Sequence, residues 1–156
     1  MSTVADADVP APAEVQPPVE VLPGLWWSGL PDDWEALRDQ VDAVIDLADP
    51  GPGPSAEDLG DITYVKAPLE DGETLPEPVL LDHLTGLVVD LVRQGRRVLV
   101  HCTFGKNRSG LVMALVVREV LGCDGATALA RVRAVRERAV NNDAFSEWLD
   151  GLPAPG

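Results

Sequence analysis

Cys102 and Arg108 are separated by five residues in the run His101-Cys102-Thr103-Phe104-Gly105-Lys106-Asn107-Arg108-Ser109-Gly110. A cysteine attacks as its thiolate, and an arginine guanidinium can clamp two oxygens of a tetrahedral anion. Five intervening residues are enough for the loop to curl around such an anion with its amide N–H groups turned inward, and Gly105 permits the tight turn. A thiolate inside a phosphate cradle has phosphorus as its target. A Walker nucleotide loop is excluded, because Gly105-Lys106 is followed by Asn107 and the earlier glycine is missing.

Such a loop works only if a strand delivers it and a helix receives it. The apolar run Arg96–Cys102 predicts a buried strand. A new helix is predicted from Arg108 through Leu111, Ala114, Leu115 and Val120 to a cap at Gly122. The first turn of that helix offers unpartnered amides and the positive end of its dipole, which favour both a bound phosphate and the anionic form of Cys102.

The remaining signals place strands at Leu25–Leu30, Val41–Ala48 and Ile62–Ala67, and a short helix at Pro31–Gln40 with Pro31 near its first turn. Asp49–Pro54 and Pro68–Pro78 read as Pro/Gly loops. A helix is expected from Val79 to Gln94 with Leu80, Leu84, Leu87, Val88 and Leu91 on one side, stopped by Gly95. Ala126–Arg138 and Asp143–Leu149 complete the set as helices. Strands followed by helices in this order indicate an α/β sheet with helices packed on it. Residues 1–20, with four prolines and no burying period, read as a flexible tail or, alternatively, an extended partner-binding segment. The folded domain is expected to span 21–152, leaving 153–156 as a short tail.

The chain has 156 residues and a formal net charge of −14, of which residues 1–61 carry −13 and residues 62–156 only −1. The total argues against nucleic acid or an anionic membrane as partner, while the second half can host an anion site. Two cysteines and two histidines supply neither a disulfide framework nor a zinc cluster. No apolar span or signal segment is evident, so a cytoplasmic monomer is expected.

His-Cys-x5-Arg-Ser resembles the signature of the cysteine-dependent protein tyrosine phosphatase superfamily, and the small dual-specificity branch fits best. The resemblance covers roughly Leu22 to Leu152 and implies a single domain with a central mixed sheet of four to five strands flanked by helices. It implies no metal or other cofactor. The implied reaction is phosphomonoester hydrolysis through a phosphocysteine, with Cys102 as nucleophile. Thr103, Phe104, Gly105, Lys106, Asn107 and Arg108 form the substrate cradle, and Ser109 donates to the sulfur as the thiol is regenerated.

The leaving oxygen needs a proton. Ala67-Pro68-Leu69-Glu70-Asp71-Gly72 is similar to the Pro-x-x-Asp-Gly loop that supplies the acid in this family, which points to Asp71, with Glu70 as the competitor. His101 is expected to orient the loop, and His83 to do nothing. Asn142 and Phe145 match the family's Pro-Asn-x-x-Phe segment, although Asn141 stands where proline is usual. Phe145 and Trp148 are expected to fill core. Whether Cys123 could pair with Cys102 depends on distance. The substrate expected is a phosphoprotein, without strict choice between phosphotyrosine and phosphoserine or phosphothreonine. The alternatives are a phosphoinositide or inositol phosphate, or a silent phosphate-binding module.

Overall fold

Alternation of side chains along the strands divides the protein into layers. In a computed structural model, which describes residues 15–156, five strands are present: β1 (Val19–Leu22), β2 (Leu25–Ser28), β3 (Ala43–Asp46), β4 (Thr63–Lys66) and β5 (Val98–His101). They form one sheet in the order β1-β2-β5-β3-β4, with β1 antiparallel to β2 and the other neighbours parallel. Every residue of β3 and β5 is buried, as expected of central parallel strands covered on both faces.

The two faces follow a period of two. Leu25, Trp27, Ala43, Ile45, Val98 and Val100 point into the larger core, whereas Val44 and Leu99 join Leu37, Val41 and Ile62 on the other side. The smaller side is covered by α1 (Trp34–Gln40) and α2 (Ala56–Leu59). The larger holds α3 (Pro78–Arg93), α4 (Arg108–Leu121), α5 (Gly125–Val135) and α6 (Asp143–Asp150). Burying each large aliphatic side chain of this core contributes about 1.5–3 kcal/mol before chain entropy is counted. Helix α4 lies at its centre: every residue from Arg108 to Val117 is buried, and the helix touches β2, β5, α3, α5 and α6. Gly122 caps it in the left-handed region at φ 66°.

The expected α/β domain with a mixed sheet is what folds, with differences that have local causes. Helix α1 begins at Trp34 because the Asp33 carboxylate accepts from the Ala36 amide, leaving Pro31 outside it. Ser55 and Asp58 form a capping box that starts α2, a helix hidden from sequence reading by the Pro/Gly run before it. The buried stripe of α3 is centred on Leu81, Leu84, Thr85 and Val88, so Leu80, Leu87 and Leu91 only flank the core. Helix α5 ends at Val135, three residues short of Arg138, and frees Arg136 for another use.

Strand β1 starts at Val19, within the stretch read as tail, and residues 15–18 lead into it without regular structure; residues 1–14 of that reading lie outside the described residues. Among the described residues no helix is long and apolar enough to cross a membrane.

Candidate active site

Strand β5 ends at His101 and α4 starts at Arg108, so residues 102–107 form the connecting loop that sequence reading placed there. The loop is held from outside by its carbonyls. Thr103 O accepts from Leu30 N (2.9 Å), Phe104 O from Gln16 N (3.1 Å), Gly105 O from Arg136 Nη1 (3.1 Å) and Lys106 O from Val140 N (3.0 Å). In a trans peptide the carbonyl and the following N–H point in opposite directions, so the amides of residues 104–107 face away from these donors. Among the described residues those four amides donate to nothing. An anion in the concavity would be their partner.

Gly105 is required twice. Its φ is +81°, and a Cβ there would lie 2.5 Å from Gly29 N. Val140, fully buried, is held at φ 54°, a costly conformation for a β-branched residue. Arg133 keeps it there by donating to Ala139 O (3.0 Å) and Val140 O (2.9 Å).

Inside the loop a cavity of about 250 Å³ is lined by Cys102, Phe104, Lys106, Asn107 and Arg108, together with Asp71 and Asn141 from two other segments. Cys102 is 2% exposed. Its sulfur lies 3.1 Å from Ser109 Oγ, which in turn receives the indole N–H of Trp27 at 2.7 Å. Arg108 is fixed at one end by Asp49, whose exposed carboxylate is 2.8 Å from Nη1, and by a longer contact to Leu69 O (3.4 Å). Its Nε is buried and has no partner among the described residues. A buried N–H left unpaired costs stability unless a ligand takes it up. Thr103 lies on the loop but not on the cavity wall.

Asp71 is exposed, and each of its oxygens accepts an amide: Oδ2 from Asn107 Nδ2 (3.0 Å) and Oδ1 from Asn142 Nδ2 (2.8 Å). Asn142 also donates to Gly72 O, receives the Phe145 amide as the cap of α6, and gives its own N–H to Asn107 Oδ1. Glu70 is exposed and does not line the cavity, so of the two competing carboxylates it is Asp71 that faces Cys102. Asn141, at the position where proline was expected, lines the rim.

His101 is 1% exposed, and its Nδ1 lies 3.2 Å from Cys102 O, an atom that can only accept. Burial holds its pKa below the usual imidazole range, against the attraction of Asp46, whose Oδ1 is 3.6 Å from Nε2. Asp46 itself is held below the usual carboxylate range. Burial raises it, but His101, the Tyr64 hydroxyl, the Ala48 amide and Lys66 together outweigh burial. Burial and the Asp46 carboxylate push Tyr64 upward. This network joins β3, β4 and β5 directly beneath the loop.

Phe145 is fully buried and Trp148 packs against the core. His83 is exposed on α3. Cys123 follows the far end of α4, a helix of 14 residues and thus about 21 Å long, well beyond disulfide reach of Cys102. Sequence reading gave no role to Trp27, Asp46, Asp49 or Arg136. Only the unusual Trp26-Trp27 pair, ending a strand beside a glycine, could have raised the question.

Residues 36–151 match the family model described as the dual specificity phosphatase catalytic domain. The chain is 29% identical over 133 residues to human (Homo sapiens) dual specificity protein phosphatase 15, covering 83% of this chain but only 44% of that relative's length. Among solved structures, Tk-PTP in its G95A mutant form superposes with a TM-score of 0.77 at 25% identity, covering 85% of this chain and 91% of the other. Human DUSP28 gives a TM-score of 0.69 at 26% identity, covering 91% and 93%. The family match takes in the loop, the segment with Asp71 and the helices around them, and the chain belongs to the dual specificity phosphatase family.

Proposed function

We propose that the protein hydrolyses phosphomonoesters, in the first place those of phosphoproteins, through a phosphocysteine intermediate. The observation that carries this reading is that Cys102 and Arg108, whose Nε has no partner among the described residues, line one cavity inside a loop whose amides at residues 104–107 donate to nothing. The loop amides and Arg108 hold the nonbridging oxygens, and their field favours the thiolate. Sulfur attacks phosphorus while the ester P–O bond breaks, and the departing oxygen takes the proton of Asp71. Asp71, then a carboxylate, takes a proton from water as that water's oxygen bonds to phosphorus. The S–P bond breaks and its electron pair stays on sulfur.

Asp71 accepts an amide at each oxygen, which holds it at the cavity. Lys106 and Phe104 line the cavity and would meet the ester group. The mechanism needs a reduced sulfur, and both cysteines are free thiols, which fits a reducing compartment such as the cytoplasm.

The test is hydrolysis of an aryl phosphate by the wild type and by Cys102→Ser, followed by a panel of phosphopeptides, phosphoinositides and inositol phosphates ranked by kcat/KM. Wild-type turnover that disappears in Cys102→Ser, with phosphopeptides leading the panel, is the expected result. Turnover that survives Cys102→Ser overturns the mechanism. Phosphopeptide binding without hydrolysis by the wild type returns the protein to a phosphate-binding module.

A further inference from the structure

Ser109 has one proton to give, and the protein contains a device that decides where it goes. The Trp27 indole is wholly buried and its Nε1 is 2.7 Å from Ser109 Oγ. An indole N–H can only donate, so Ser109 must accept from it. The other group within hydrogen-bond distance of that hydroxyl among the described residues is the Cys102 sulfur, 3.1 Å away; a thiolate can only accept, so the hydroxyl proton points at it. Without the indole, the hydroxyl of a serine in the first turn of a helix can turn away from the sulfur, toward a carbonyl one turn back.

Behind the indole stands Arg136, freed by the early end of α5. Its Cζ lies 4.3 Å over the centre of the Trp27 ring, and its nitrogens donate to Trp27 O and Pro17 O as well as to the loop carbonyl of Gly105. Burial pulls Arg136 down to about 10, with the Cys102 charge pulling the other way, so it remains a cation at neutral pH. A cation on the π face draws density from the ring and makes the N–H a stronger donor. The order is therefore Arg136, Trp27, Ser109, Cys102, with the last three all buried where hydrogen bonds to charge count most.

We infer that Trp27, backed by Arg136, is a positioning residue that aims the Ser109 hydroxyl at Cys102 and thereby speeds breakdown of the phosphocysteine. This rests on the phosphocysteine reading above. In the first step sulfur loses negative charge as it bonds to phosphorus, and a donor at sulfur gives no help. In the second, water adds to phosphorus, its proton passes to Asp71, and the S–P electron pair returns to sulfur. Negative charge then develops 3.1 Å from a hydroxyl already oriented to receive it.

Trp27→Phe opens a cavity in the core, so the decisive variant carries the benzothiophene analogue of tryptophan at position 27, which keeps the shape and lacks the N–H. The measurement is steady-state turnover of a radiolabelled aryl phosphate together with the fraction of enzyme trapped as phosphocysteine by rapid quench. Relative to wild type, turnover should fall roughly tenfold, the worth of one hydrogen bond to a charged group, while the trapped fraction rises. In a Ser109→Ala background the same replacement should change neither quantity. A merely structural role for Trp27 predicts lower turnover with an equal or smaller trapped fraction, in both backgrounds alike, and that result overturns the inference. If instead wild-type enzyme traps no phosphocysteine and Cys102→Ser keeps its activity, the reading beneath it has failed, and the inference falls with it.

Discussion

The loop 102–107 and the segment 68–77 face each other across one cavity and are held in opposite ways. The first is fixed from behind, with a donor on each carbonyl from Thr103 to Lys106, a glycine pressed against another backbone, and a strained Val140 as a prop. The second is anchored by the buried Leu69 but exposed from Glu70 to Thr74, and its Asp71 is tied only by two side-chain amides. An oxyanion cradle gains from being rigid before the substrate arrives, because its dipoles then need no reorganisation. A general acid must exchange a proton twice per cycle and pass it to different oxygens, which asks for bonds that can be remade.

The difference can be pressed hardest at Arg108. Arg108→Lys keeps a charge but loses the planar fork, and we expect kcat/KM for an aryl phosphate to fall by about 10²–10³-fold, with orthovanadate binding weakened in parallel. Loss of turnover with vanadate binding intact would mean the guanidinium is not part of the cradle. On the opposite wall, Asp71→Asn should lower kcat by about 10²-fold yet leave vanadate affinity within about twofold, since the acid does not hold the anion. A parallel loss of affinity would show that the two walls are one structural unit, not a rigid cradle facing a remakeable one.

A smaller effect is expected at Asn142→Ser, which retains a cap for α6 but no longer reaches Asp71. Hydrogen exchange should speed up over residues 69–77 and stay unchanged over 103–107, with kcat reduced by only about two- to fivefold. The smallest is a pH effect beneath the cradle. Because burial in the folded state holds His101 below the usual imidazole value of about 6.5, the native protein binds fewer protons there than the unfolded chain, and stability present above that value is lost as pH falls through the folded one. The urea midpoint should therefore drop more between pH 7.5 and 5.5 in wild type than in His101→Gln. Equal drops would remove His101 from the account.

Much of this was legible in the chain because it is local. Strand β5, the loop and α4 are contiguous, and the residue types needed for a turn around an anion lie within nine positions. The segment with Glu70 and Asp71 was legible too, as carboxylates beside a glycine after a strand, although which of the two lines the cavity was decided by the fold. Where reading along the chain went astray, a cap or a pairing partner decided the outcome. Ser55 and Asp58 nucleate α2 inside apparent loop, and Val19–Leu22 becomes a strand because β2 lies beside it.

What the sequence determined by itself was a cysteine and an arginine at a spacing set by a single turn of backbone, and a separate carboxylate-bearing loop after another strand. What only the tertiary structure decided was the company those groups keep. Trp27 meets Ser109 across 82 positions of chain, Asp49 meets Arg108 across 59, and Arg136 meets Trp27 across 109. A local pattern can specify which groups could react, since covalent geometry carries them to one place. The donors that orient them come from distant strands and helix ends, and they arrive only when burial of the two apolar faces of the sheet brings those segments together.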